Sequence, residues 1–238
     1  MKRYIQGFSI FLAAGVLLGF VGFPLQAAFG VWGLAATEAI TLAVALVGMK
    51  IGRFSVREVF PLRRITWRQA VGFFLLYIAG QTLASFLTAL TMLATPEVGQ
   101  RLEQVGQLSA MPLYLAIPMV AILPALCEEA LFRGVLRRCF ADLPDWLTAA
   151  VVGLLFGVFH LDVYRLVPTA VLGMAITYLC VKTDNFALAV GYHLLNNLMS
   201  VLQSHFGSGG SVTLVDLSVR AAVGVCCWIL ANRILTKR

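Results

Sequence analysis

Charge is what this sequence has least of. Aspartate, glutamate, lysine and arginine make up 12% of its 238 residues, against about 25% in ordinary soluble domains. So little charge, with no polar stretch long enough to fold separately, excludes a soluble globular protein. Cysteine is sparse as well. Cys127, Cys139, Cys180, Cys226 and Cys227 show neither metal-ligand spacing nor the spacing of a disulfide framework, which leaves them as packing residues. No HExxH segment is present, so the compact helical zinc-protease motif is absent. Nor is there an internal repeat or a matched pair of Gly/Pro-broken segments, which argues against a proton-coupled transporter.

What the chain has instead is apolar length. Hydrophobic residues make up 60% of it, in runs close to the roughly 20 residues that cross a hydrocarbon core of about 30 Å. About eight spans are expected, over residues 5–28, 31–51, 71–93, 111–140, 146–161, 166–181, 186–202 and 213–235. The reading is all-α: a polytopic membrane helix bundle forming one integral membrane domain over residues 1–238. Lys2 and Arg3 before the first run imitate a secretory signal, but the run is too long for one, so an uncleaved first helix is expected. Residues 95–109 read as a polar outer segment and 207–211, GSGGS, as a flexible connector.

The net charge of +7 would suggest nucleic acid in a soluble protein, but here no nucleic-acid partner is expected. Lys2 and Arg3, the group Arg53, Arg57, Arg63, Arg64 and Arg68, then Arg137 with Arg138, Lys182, and Lys237 with Arg238 fall in alternate gaps, while the opposite gaps hold only Arg101 and Arg165. That asymmetry puts both termini on the cytoplasmic side of a membrane read as a prokaryotic cytoplasmic one.

Against this background the ionisable groups inside spans stand out, because each costs about 2.5–3.5 kcal/mol at a helix centre and is retained for a function by default. They form three clusters: Glu128, Glu129 and Arg133 in the fourth span, Phe156 and His160 at the end of the fifth, His193 and Asn197 in the seventh. Residues four apart share a helix face, so Glu129 pairs with Arg133 while Glu128 points about 100° away without a cation. A carboxylate so placed suits a general base. His193 and Asn197 also share a face and offer N–H donors to a developing oxyanion. Measured from their turns at the helical rise, the three clusters lie at similar depth, provided the fourth helix continues to about Phe140. The bland readings are a locally satisfied His160, a structural Glu129–Arg133 pair and His193–Asn197 as interhelical glue; the conjunction of three clusters favours a site. Glu38 and Gln81 are expected to line the cavity or bond a neighbouring helix, Asp216 and Arg220 to form an i, i+4 pair, and His205 to be solvated.

In order and type, Glu128-Glu129 with Arg133, Phe156 with His160, and His193 with Asn197 resemble the EExxxR, FxxxH and HxxxN motifs of the CPBP intramembrane proteases. That group includes the type II CAAX prenyl endopeptidases and the bacteriocin-processing and immunity proteins of the Abi family. The motif-bearing core covers residues 111–202. The resemblance implies that Glu128 and His160 activate a water, that His193 and Asn197 stabilise the oxyanion, and that Glu129 and Arg133 hold the glutamate helix in place. It leaves the substrate open: a lipidated, C-terminal or leader peptide at the membrane. The alternative is a peptide-binding or bacteriocin-immunity membrane protein without catalysis. No metal is favoured; were one used, zinc held by Glu128, His160 and His193 is the set the residue types offer. Lipid and a peptide substrate are the expected partners, with no preference as to oligomeric state.

Overall fold

The computed structural model describes residues 2–95, 111–207 and 213–236, and among these there is helix and no strand. Eight long helices carry the architecture: α1 Arg3–Phe29, α2 Val31–Ile51, α3 Trp67–Ala94, α4 Leu113–Cys139, α5 Asp145–Phe159, α6 Val163–Thr183, α7 Phe186–Phe206 and α8 Leu214–Thr236. A single helical turn, Val56–Val59, lies between α2 and α3. The connector 207–211 beyond Gly207, the outer segment 96–109, and the basic residues Arg101, Lys237 and Arg238 lie outside the described residues.

Helix starts follow local chemistry. Thr66 and Gln69 form a reciprocal capping box at α3, Asp162 accepts the amides of Tyr164 and Arg165 at α6, and Asn185 accepts that of Ala187 at α7; each satisfies backbone donors left free at a helix start. α1 turns into α2 through Gly30 alone, at φ +56°, a conformation open to glycine without a Cβ clash. α4 carries two π-helical stretches, Ile117–Ile122 and Ala130–Leu136. The first surrounds Pro118 and precedes Pro124, where a wider turn accommodates residues that cannot donate to the helical ladder.

Expected and observed spans agree to within a few residues, with a correction to the number that qualify. Among the described residues six helices are long and apolar enough to cross a membrane. α5 has 15 residues, about 22 Å at the helical rise. α7 has the length, but His193, Asn196, Asn197, Ser200, Gln203, Ser204 and His205 dilute its hydropathy. Outward faces are apolar, as contact with acyl chains requires, and Trp32, Trp67 and Trp146 lie exposed within two residues of helix starts, where amphipathic rings sit at a membrane interface. The protein is an integral membrane helix bundle.

α4 and α6 lie at the centre, with half of each span buried, whereas α8 is 17% buried. Leu131, Phe132, Val135 and Leu136 of α4 have no exposed surface. α5 and α6 approach through small residues: a Cβ on Gly153 would sit 2.5 Å from Met174 N, and one on Gly157 would sit 2.5 Å from Leu166 O. This G-x-x-x-G contact, at 153–157, lets backbones close without a hydrophobic driving force between helices. One end of the bundle is basic and tied together: Asp184 meets Arg63 at 2.6 Å, Arg138 at 3.1 Å and Arg137 at 3.6 Å, and Lys182 meets Asp145 at 2.8 Å.

Candidate active site

Glu129 and Arg133 pair as the spacing requires, at 2.7 Å, with neither side chain exposed. The guanidinium is used up. Nη1 donates to Glu129, Nη2 to the carbonyl of Gly173 at 2.8 Å and Nε to Thr177 Oγ1 at 3.2 Å, while its Cζ lies 4.5 Å from the centroid of Phe156. Burying such an ion pair is tolerable only when the remaining donors are satisfied, which α6 does here. Gly173 has to be glycine for this: a Cβ there would come within 2.9 Å of the Phe156 ring and 3.1 Å of Gly153 Cα.

Glu129 does a second job that its helix position alone does not reveal. Its Oε1 also accepts from His193 Nδ1 at 2.8 Å, which joins α4 to α7 and fixes that ring, since the nitrogen facing a carboxylate carries the proton. The other ring nitrogen, Nε2, is thereby turned toward Glu128, 4.0 Å from its Oε2. That Oε2 is buried and has no hydrogen-bond partner among the described residues. Of the two adjacent glutamates, one holds an arginine and a histidine, and the other holds no donor.

His160 caps the C-terminus of α5 and its Nδ1 donates to the carbonyl of Phe156 at 2.8 Å, leaving Nε2 with its lone pair. Glu128 and His193 are both near enough for their charges to act on it. Phe156 packs edge-on against both imidazoles, with centroids 4.9 Å from His160 and 5.5 Å from His193. One aromatic ring therefore sets the spacing of two histidines and the arginine. Asn197, one turn beyond His193, accepts at Oδ1 from Asn196 Nδ2 at 3.0 Å, and Asn196 Oδ1 accepts from Gln81 Nε2 at 2.6 Å. This chain uses the acceptor of Asn197 and leaves its amide N–H groups to donate.

The structure thus gathers Glu128, Glu129, Arg133, Phe156, His160 and His193 from α4, α5 and α7, and links Asn197 to α3 through Asn196. Sequence reasoning did not find Thr177, Gly173 or Asn196. The G-x-x-x-G at 153–157 was the one signal that pointed to a close α5–α6 contact; nothing local marked the acceptors of Arg133. Gln81 bonds a neighbouring helix as expected. His205 is half-buried rather than free in solvent, with its two ring nitrogens each 2.8 Å from a carbonyl, that of Val201 and that of Met111. Asp216 caps Thr213, accepting from its amide and hydroxyl at 3.0 and 2.7 Å, and forms no ion pair with Arg220.

Among the described residues no three His, Cys, Asp or Glu side chains converge closely enough to hold a metal ion; Glu128, His160 and His193 are not a ready ligand shell.

No curated protein and no solved structure matches the chain. Residues 110–199 do match a family model, described as Type II CAAX prenyl endopeptidase Rce1-like, and that match points to a protease of the hydrolase class. The matched segment holds all seven motif side chains, from Glu128 to Asn197, and over these residues the chain is similar to the Rce1-like type II CAAX prenyl endopeptidases.

Proposed function

We propose that the protein is an intramembrane endopeptidase that cleaves a peptide bond of a membrane-associated peptide with a water activated by Glu128 and His160, without a metal. The observation that carries this reading is the division of labour at 128–129. Glu129 takes Arg133 and His193, so Glu128 keeps an unpartnered buried oxygen beside an imidazole. Glu128 accepts one proton from water as the oxygen attacks the carbonyl carbon; His160 Nε2 takes that proton over from Glu128 and passes it to the departing amine as the C–N bond breaks, which returns Glu128 to the carboxylate. His193, when it carries a proton on Nε2, and the amide of Asn197 donate to the tetrahedral oxyanion. The basic end at Asp184 is the cytoplasmic face in this reading, and the substrate is a lipidated, C-terminal or leader peptide presented there.

Purified protein in liposomes, supplied with farnesylated and unmodified versions of one fluorogenic peptide, tests the reading. Wild type should cleave and Glu128→Gln should not, with both equally folded; equal cleavage by the two refutes the base assignment. Loss of cleavage on chelation, restored by zinc, would overturn the metal-free mechanism. Comparing processed protein termini in wild-type and Glu128→Gln cells then identifies the substrate, and an unchanged set of termini would favour a binding or immunity role.

A further inference from the structure

α2 lies outside the segment that matches the family model, yet it brings a third carboxylate to the site. Glu38 is 4% exposed. It makes no hydrogen bond among the described residues, and its Oε2 is buried without a partner. The flanking hydroxyls do not serve it: Thr37 bonds the carbonyl of Gly33 at 2.9 Å and Thr41 that of Thr37 at 3.1 Å. The charge that reaches Glu38 is that of Glu128 across the α2–α4 contact. Both also act on Cys127.

Glu38, buried, and Glu128, largely buried on the helix packed against it, thus each carry a buried oxygen without a hydrogen-bond partner, and neither has a cation paired with it among the described residues. Arg133 is fully engaged by Glu129, Gly173 and Thr177. From the packed elements, α4 contributes Glu128 and Cys127, and α1 has its titratable groups, Arg3 and Tyr4, in its first turn at the other end. There Gln6 meets Ile51, 13 residues or about 20 Å along α2 from Glu38. Behind Glu128 stand His193 and His160. Like charges so placed in a low-dielectric interior do not both ionise, and a single shared proton supplies the donor that both oxygens lack. An apolar residue would pack at position 38 without this cost.

We propose that Glu38 is a positioning residue for Glu128: as a neutral carboxylic acid it donates to that side chain, directly or through one water, and leaves Glu128 as the single anion of the pair. This inference rests on the protease reading for its kinetic consequence and not for the protonation itself. Glu38→Leu removes the donor and lowers kcat about 10- to 100-fold at unchanged KM, the scale of a misplaced reacting group; Glu38→Gln, which still donates, restores most of that loss. Wild type loses rate at alkaline pH as the pair gives up its last proton, and Glu38→Gln lacks that alkaline limb.

The infrared spectrum at neutral pH gives a readout independent of turnover. Wild type shows a protonated-carboxyl band that Glu38→Gln abolishes. A band that persists in Glu38→Gln, or pH–rate profiles of both variants that superimpose on wild type, overturns the proposal. If wild type cleaves no peptide, the protease reading fails, and the infrared comparison still decides the state of Glu38.

Discussion

Two carboxylate–arginine clusters, one buried and one at the basic end, use the same side chains to different effect. In the Glu129–Arg133 pair neither side chain is exposed and each nitrogen of Arg133 has an acceptor. Around Asp184 three arginines converge, but Arg63 is 62% exposed and the carboxylate 35%. In low dielectric a lost partner leaves a charge with nowhere to go, whereas at the surface water replaces it. The buried cluster therefore holds the site in shape, and the exposed one only ties loops to helix ends.

The largest test of this difference is Arg133→Leu. Leaving Glu129 buried and uncompensated costs about 3–5 kcal/mol, read as a lower unfolding temperature in detergent; a loss below about 1 kcal/mol would make the two clusters equivalent. Glu128→Gln sharpens the contrast within the buried layer. It keeps shape and removes only the proposed base, so on that reading hydrolysis falls by about 100-fold or more while the unfolding temperature stays or rises. Gln81→Leu is intermediate. It breaks the Gln81–Asn196–Asn197 chain and, with Asn197 as the proposed oxyanion donor, lowers kcat about tenfold with KM held, less than the roughly 100-fold or more that losing such a donor outright costs; a change in KM alone would assign Gln81 to substrate binding instead.

Asp184→Asn is the smallest. Burial pushes this carboxyl up, but the Arg63 hydrogen bond and the charges of Arg138 and Arg137 outweigh it and hold it below the usual carboxylate range. Its stabilisation is present above the unfolded-state value and lost as pH falls through the lower folded one. For so exposed a group it amounts to well under about 1 kcal/mol after screening. The variant should match wild type in acid and in high salt, as unfolding scans across pH and ionic strength will show.

Much of the fold was legible because apolar length and helical spacing are local properties. The eight helices, the continuation of α4 to its end at Cys139 and the Glu129–Arg133 pair all follow from residues close in sequence. The bond from Glu129 to His193 spans 64 positions, and no local pattern distinguishes it from the i, i+4 partnership that the sequence suggested for His193 with Asn197. The same holds for the carbonyl of Gly173, an acceptor every residue carries. Glu38 was visible as an oddity, but its neighbour was not, because depth along a helix says nothing of which helices touch.

α5 falls about 8 Å short of a 30 Å hydrocarbon core. Lipid beside a helix this brief has to dimple inward, or water has to wedge in at its end, and it is there that His160 sits. On the proposed reading a scissile bond is met partway into the leaflet by a solvent that elsewhere stops at the headgroups, and the depth of cleavage is set by where one helix gives out.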